Sequence, residues 1–357
     1  MSVFVIAEAG VNHNGDVAMA HKLVDVAAQA GADAVKFQTF QPKELVVSNA
    51  PKAAYQKITT EPTESQLDML GKLQLGKEAH IEVMQHCQSV GIQFLSTPFD
   101  LPSLDFLVND LDLPVIKIPS GELTNAPLIL AVAHSGRNVI LSTGMSTLDQ
   151  VREALGVLAY GFQNKMPPTG RSVFLSVLDN DTSHELLRDK VTLLHCTTEY
   201  PTPPDHVNLK AMDTLSDAFG IKIGYSDHTD GVAVSVAAVA RGAQLIEKHI
   251  TLDKALPGPD HMASLEPLEF TRLVEEIRSV EAALGDGEKK PQGAELENAD
   301  VARKSLVAIA AVGKGEVFTT ANLGVKRPGT GVSPMEFYKW IGRPSPNDLS
   351  EGDIFIL

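Results

Sequence analysis

Two histidines stand where apolar runs give out. The run IKIGY (221–225) leads through Ser226 and Asp227 to His228, and QLIEK (244–248) leads directly to His249. Neutral imidazoles ligate Mn²⁺, Fe²⁺, Zn²⁺ or a similar divalent ion, leaving further positions for water or substrate oxygens. A spacing of about twenty residues says little alone, and the plainer alternative is a histidine that caps a helix or bonds a backbone carbonyl near Asp227 or Asp230. What joins the two is their common place at the ends of successive apolar segments.

Two lysines raise a second question. Lys36 lies inside AVKFQ (34–38) and Lys117 inside VIKIP (115–119). An ammonium within a strand-like apolar segment is costly to bury without a partner. A phosphate or carboxylate would provide one, with hydroxyls of Thr97, Ser120 and Ser226 as further donors. A Schiff-base lysine is the competing chemistry. Two lysines beside a metal-competent histidine pair favour anion clamping over imine formation.

Such residues need a scaffold that brings distant segments together. Short β-branched runs recur at 3–7, 34–38, 92–96, 115–119, 138–142, 191–195, 221–225 and 244–248, as strands buried on both faces do. Helical patterns separate them: Ala18–Ala30 carries Leu23, Val26, Ala27 and Ala30 on one stripe before Gly31, and Val232–Arg241 stops at Gly242. About eight strand–helix cycles predict a (β/α)₈ TIM barrel rather than an open doubly wound sheet. Polar residues follow nearly every run: Glu8, Lys36 and Gln38, Thr97, Lys117 with Ser120 and Glu122, Thr143, His195 and Thr198, Ser226 and His228, Glu247 and His249. In a barrel these strand ends converge on one face, where chemistry is done.

The barrel is expected over 1–285, with a polar linker over 286–300 and a small mostly-β unit over 301–357. In that unit Lys326 and Arg327 precede the turn Pro328-Gly329, which either aims a cation outward or leaves a solvated basic pair. The stretch 161–190 is long for a barrel connection and reads as a surface elaboration. With net charge −15 and pI near 5.1, nucleic acid and anionic membranes are not expected partners. Cys87 and Cys196 are too few and too far apart for a disulfide framework or zinc site. No stretch has the length of a signal peptide or membrane span, so a soluble, cytoplasmic protein is expected.

The motifs IAEAGVNHNGD (6–16), AVKFQTF (34–40), STPFD (96–100), KIPSGE (117–122), LSTGM (141–145), LHCTTEYPTP (194–203), GYSDHT (224–229), IEKHITLDK (246–254), GPDH (258–261) and KRPGTG (326–331) resemble the sialic acid (nonulosonic acid) synthase family almost end to end. These enzymes condense phosphoenolpyruvate with an N-acetylated hexosamine. The resemblance implies a barrel followed by an antifreeze-like (SAF, β-clip) domain, and a domain-swapped homodimer in which that domain covers the partner's barrel. It implies a divalent metal, typically Mn²⁺, on His228 and His249. Phosphoenolpyruvate would lie among Lys36, Thr97, Lys117, Ser120, Tyr200 and Ser226, and the amino sugar against Gln38, Asp260 and Arg327 of the other subunit. Glu8 and Glu122 would handle protons. The sugar is N-acetylmannosamine or 2,4-diacetamido-2,4,6-trideoxymannose; Thr198-Glu199 and stretches such as VNLKAMDTL and GPDHMASLEP look at least as much like a legionaminate synthase as like an N-acetylneuraminate synthase. A class II aldolase draws on more histidines than this pair, and a sugar-binding barrel without turnover leaves both lysines without a task.

Overall fold

The eight apolar runs form parallel strands: β1 (Phe4–Gly10), β2 (Ala34–Thr39), β3 (Gln93–Pro98), β4 (Val115–Ile118), β5 (Asn138–Ser142), β6 (Val191–Cys196), β7 (Lys222–Asp227) and β8 (Leu245–His249). They hydrogen-bond in the order β3-β2-β1-β8-β7-β6-β5-β4, and every ladder is parallel. β3 and β4, at the two ends of this order, lie side by side, so the sheet curls into a nearly closed barrel. This computed structural model describes residues 2–48, 50–52, 60–61 and 64–357.

The helices begin and end for local reasons. Val17–Gln29 is capped by Asp16, whose Oδ1 accepts from Ala18 N at 2.8 Å. Gly31, at φ +80°, turns the chain towards β2 in a conformation that side chains resist. Ala233–Ala240 ends likewise ahead of Gly242 at φ +96°.

The strand period of two decides what faces the barrel interior. Ile6, Ala34, Leu95, Ile140, Leu194 and Leu245 form an apolar plug inside it, with Val115 packed on them. Gly224 completes this layer, where a Cβ would meet Leu245 O at 2.5 Å and Leu194 Cδ2 at 2.6 Å. Two residues further along the same eight strands come Glu8, Lys36, Thr97, Ser142, Cys196, Glu247, Lys117 and Ser226. An apolar floor thus carries a polar layer directly above it. The outward-facing residues, Val5, Ala7, Val35, Phe37 and Ile246 among them, pack against the helices.

Two expectations change in detail. The stretch 161–190 is packed rather than merely decorative: Phe174 is buried with its ring edge-on to Tyr160, and the helix Asp181–Lys190 buries Leu187 and leads directly into β6. The chain divides into compact units Met1–Gly285 and Asp286–Leu357. The stretch read as a linker holds most of a helix, Gly293–Ala302, with no buried residue. In the second unit β9 (Ser305–Ala308) pairs antiparallel with β10 (Leu323–Lys326) over a core of Leu306, Val312, Phe318, Leu323 and Phe355. Among the described residues no helix is long and apolar enough to cross a membrane.

Candidate active site

All eight residues of the polar layer line one cleft of about 350 Å³ at the C-terminal ends of the strands. Strand register sets their neighbours: Glu8 lies opposite Lys36 on β2 and His249 on β8, Gln38 opposite Thr97, and Ser226 opposite Glu247. Lys36 Nζ sits 2.5 Å from Glu8 Oε2 and 3.7 Å from Glu247 Oε2, and donates to Thr97 Oγ1 at 3.0 Å. Lys117 Nζ is 3.3 Å from Glu247 Oε1, which also accepts from Ser226 Oγ at 2.9 Å.

Burial and pairing drive these groups apart. Burial pushes the Glu8 carboxyl up to about 7, even against the opposing pull of Lys36. Burial acts on Glu247 in the same sense, but Lys117 and Lys36 outweigh it and hold that carboxyl below its ordinary value. Burial lowers Lys117, which leans mainly on Glu247, whereas Lys36 is held above its ordinary value because Glu247 and Glu8 outweigh burial. The cleft therefore holds a carboxylate fixed in its charged form beside a carboxyl that titrates near neutrality, a combination suited to proton handling.

The histidines lie at the next level up. Their ring centroids are 5.5 Å apart, with Tyr200 against both, at 4.2 Å from His228 and 5.8 Å from His249. His228 Nδ1 donates to Thr197 O at 2.6 Å, which leaves Nε2 with a free lone pair. His249 Nδ1 is buried 3.9 Å from Asp260 Oδ2 and has no hydrogen-bond partner among the described residues. Burial lowers both imidazoles, His228 to about 4, so both are neutral as ligands must be. Among the described residues no set of three or more His, Cys, Asp or Glu converges as a metal cage. The pair fits a divalent ion held by two protein ligands, with its other positions open to oxygens from solvent or substrate.

Gln38 Nε2 donates to Glu8 Oε1 at 3.3 Å. Asp260 joins them around Gly10, where a Cβ would stand 3.2 Å from Glu8 Oε1, 3.3 Å from Gln38 Nε2 and 3.6 Å from Asp260 Oδ2. Burial raises the Asp260 carboxyl to about 6. Across the mouth, Ser120 Oγ accepts from Gly144 N at 3.0 Å and lies 3.1 Å from Cys196 Sγ. Glu122, half-buried at the rim, accepts from Asn125 Nδ2 at 2.6 Å. Thr198 lines the cleft, while Glu199 turns outward to His206. Twelve of the thirteen residues given roles by the family resemblance thus line one cleft; the thirteenth, Arg327, is exposed in the second unit. Of the polar strand ends, His195 turns away to Val207 O and Thr143 to Leu194 O.

A model of the NeuB family matches residues 23–289. The N,N'-diacetyllegionaminic acid synthase of Campylobacter jejuni is 47% identical over 350 residues, which cover 98% of each chain. The chain belongs to the NeuB family. The N,N'-diacetyllegionaminic acid synthase of Legionella pneumophila is 44% identical over 99% of this chain and 93% of its own. The solved structure of an N-acetylneuraminic acid (sialic acid) synthetase from Leptospira borgpetersenii is 32% identical and covers 84% of this chain and 90% of that one, with a TM-score of 0.69.

This NeuB-family cleft contains features that reading the sequence did not assign. Glu247 was only one acid in the polar ring, yet it binds both lysines and Ser226; its place two residues before His249, on the same strand face, was the available signal. The cleft also has an apolar wall of Val11, Phe40, Met69 and Leu73, backed by Leu45, Leu70 and Phe99. Met69 and Leu73 come from the helix Gln66–Leu73, and only the fold brings it to the barrel mouth.

Proposed function

We propose that this NeuB-family chain, a nonulosonic acid synthase, condenses phosphoenolpyruvate with 2,4-diacetamido-2,4,6-trideoxymannose and water to give N,N'-diacetyllegionaminate and phosphate. The two-sided cleft carries this reading. Its lysine-bearing side suits a multiply charged anion, and its apolar wall suits a sugar bearing a methyl at C6 and a second acetamido methyl, which replace hydroxyls of N-acetylmannosamine. The two relatives named as N,N'-diacetyllegionaminic acid synthases support the same product.

Lys36 and Lys117, with the hydroxyls of Thr97, Ser120 and Ser226 and the ring of Tyr200, hold phosphoenolpyruvate with its methylene carbon towards the sugar aldehyde. His228 and His249 hold a divalent ion, Mn²⁺ by the family pattern. When bound there, such an ion supplies Lewis-acid polarisation of a substrate oxygen and positive charge that two lysines set against two carboxylates do not provide. Gln38 and Asp260 bind the open-chain sugar, joined by Arg327 from a second copy of the chain. A carbon–carbon bond forms between the methylene carbon and the aldehyde carbon, and Glu8 supplies the proton for the resulting oxygen. Glu122, at the rim, takes a proton from the water that adds to the former enol carbon. Phosphate then leaves by carbon–oxygen cleavage.

In this reading the second unit is an antifreeze-like SAF domain and the protein is a cytoplasmic homodimer. A class II aldolase would consume no phosphoenolpyruvate and release no phosphate. Competition between the two sugars in one reaction with phosphoenolpyruvate and Mn²⁺ tests the product assignment. The trideoxy sugar is expected to be favoured in kcat/KM by about tenfold or more; preference for N-acetylmannosamine would reverse it and leave the synthase reading intact.

A further inference from the structure

The loop after β1 and the loop after β8 are stitched together just behind the sugar end of the cleft. Asn12, with 1% of its surface exposed, donates from Nδ2 both to Ile250 O at 2.9 Å and to Ser264 Oγ at 2.8 Å. Ser264 Oγ in turn donates to the backbone O of Asp260 at 2.6 Å. One residue beyond His13, Asn14 Nδ2 donates to Pro257 O at 2.9 Å. The loop between has no slack: Gly258 sits at φ +149°, and a Cβ there would come within 2.7 Å of His261 Cδ2 and 2.9 Å of Asn14 Oδ1. At the base Ile250 N donates to Glu8 O at 2.9 Å.

We propose that Asn12 is a positioning residue that acts through Ser264 to hold Asp260 at the sugar end of the cleft. Asn12 has no place among the residues lining the cleft, so its effect on catalysis passes through the residues it holds. Its amide bridges two points of the β8 loop that flank Asp260 in sequence, Ile250 on one side and Ser264 on the other. A hydroxyl or carboxylate at position 12 cannot make both donations from one atom group, because an amide nitrogen carries two hydrogens and each is used. Loss of the bridge frees the loop to carry Asp260 out of line with Gln38 and Glu8. Lys36 and Lys117 come from β2 and β4, and their partners Glu8 and Glu247 are fixed within the β1–β8 ladder, before the loops that the bridge joins.

This inference rests on the reading of Asp260 as a sugar contact, and steady-state kinetics of the full chain with Mn²⁺ separate the two. Asn12→Ala and Ser264→Ala are each expected to raise the KM for the amino sugar about tenfold while the KM for phosphoenolpyruvate changes less than about twofold, as loss of a buried hydrogen bond confined to one subsite would. Combined with Asp260→Asn, Asn12→Ala should add almost nothing, because both changes remove the same contact. Ser264→Ala removes a single hydroxyl and serves where Asn12→Ala fails to fold. Equal rises in both KM values, or an additive double variant, would overturn the proposal while leaving the sugar subsite in place. An unchanged sugar KM in Asp260→Asn would instead overturn the subsite reading and the proposal with it.

Discussion

Glu8 and Lys36 meet across the β1–β2 ladder with a carboxylate oxygen 2.5 Å from the ammonium, each side chain only 3% exposed. Neither charge could lie there alone, since an unpaired buried ion costs several kcal/mol. Lys36 also faces Glu247, whereas Lys117 pairs, among the described residues, with Glu247. The two lysines therefore share one carboxylate and differ in what they leave behind when removed.

Lys36→Met leaves Glu8 without its nearest cation, and at pH 8.5, where the parent holds Glu8 charged, it should cost about 3 kcal/mol of stability, read by urea denaturation. Lys117→Met leaves Glu247 with Lys36 and Ser226 and should cost clearly less. Both should raise the KM for phosphoenolpyruvate by about 10–100-fold, the worth of a lost charge-assisted hydrogen bond. Equal destabilisation by the two variants would contradict the shared-carboxylate arrangement.

His13 supplies a pH dependence outside the cleft chemistry. Its ring is fully buried, its Nδ1 accepts from Gly15 N at 3.0 Å, and burial, aided by the nearby His80, lowers it from 6.5 to about 3. The folded chain thus refuses a proton that the unfolded chain accepts. The stabilising contribution of the neutral ring is complete above the unfolded value of 6.5 and is lost as pH falls towards the folded value. By pH 4.5 the loss should be about 3 kcal/mol. Urea unfolding at pH 7 and pH 4.5 should show His13→Gln losing less stability than the parent by about that amount; equal losses would place the sensitivity in other groups.

Arg327 lies in the second unit, exposed, and acts, in the proposed dimer, on the site of another copy. Arg327→Ala and His228→Ala should each be nearly inactive. Mixed one to one and allowed to exchange subunits, they should regain about a quarter of parental activity, because half of the dimers then hold one site with both residues intact. No recovery after exchange, verified by mass, would place Arg327 in its own chain's site or in none.

The barrel was legible because strands buried on both faces have a composition that little else shares, and because a period of two turns each strand into an apolar step followed by a polar one. Reading Ile6 then Glu8, Ala34 then Lys36, or Leu245 then Glu247 already sketches the floor and the reactive layer. Glu247 stood out only as one acid of the polar ring: its place two residues before His249 puts it on the cleft face, but its importance comes from Lys36 and Lys117, which are distant in sequence. The apolar wall escaped for the same reason, since Met69 and Leu73 look like any buried helix face until they meet Val11 and Phe40. Asn12 was quoted within a motif, but its two hydrogen bonds reach Ile250 and Ser264, contacts that no local pattern encodes.

In the proposed reaction one cleft joins phosphoenolpyruvate to a hexosamine and expels phosphate by carbon–oxygen cleavage. Phosphoenolpyruvate labelled with ¹⁸O at the bridging oxygen, incubated with the metal-stripped protein and then with added Mn²⁺, tests it directly. The expected result is phosphate release only when both the amino sugar and Mn²⁺ are present, with the label recovered in the phosphate and one phosphate formed per sugar consumed. Release without the sugar, or none with either sugar, would contradict the account.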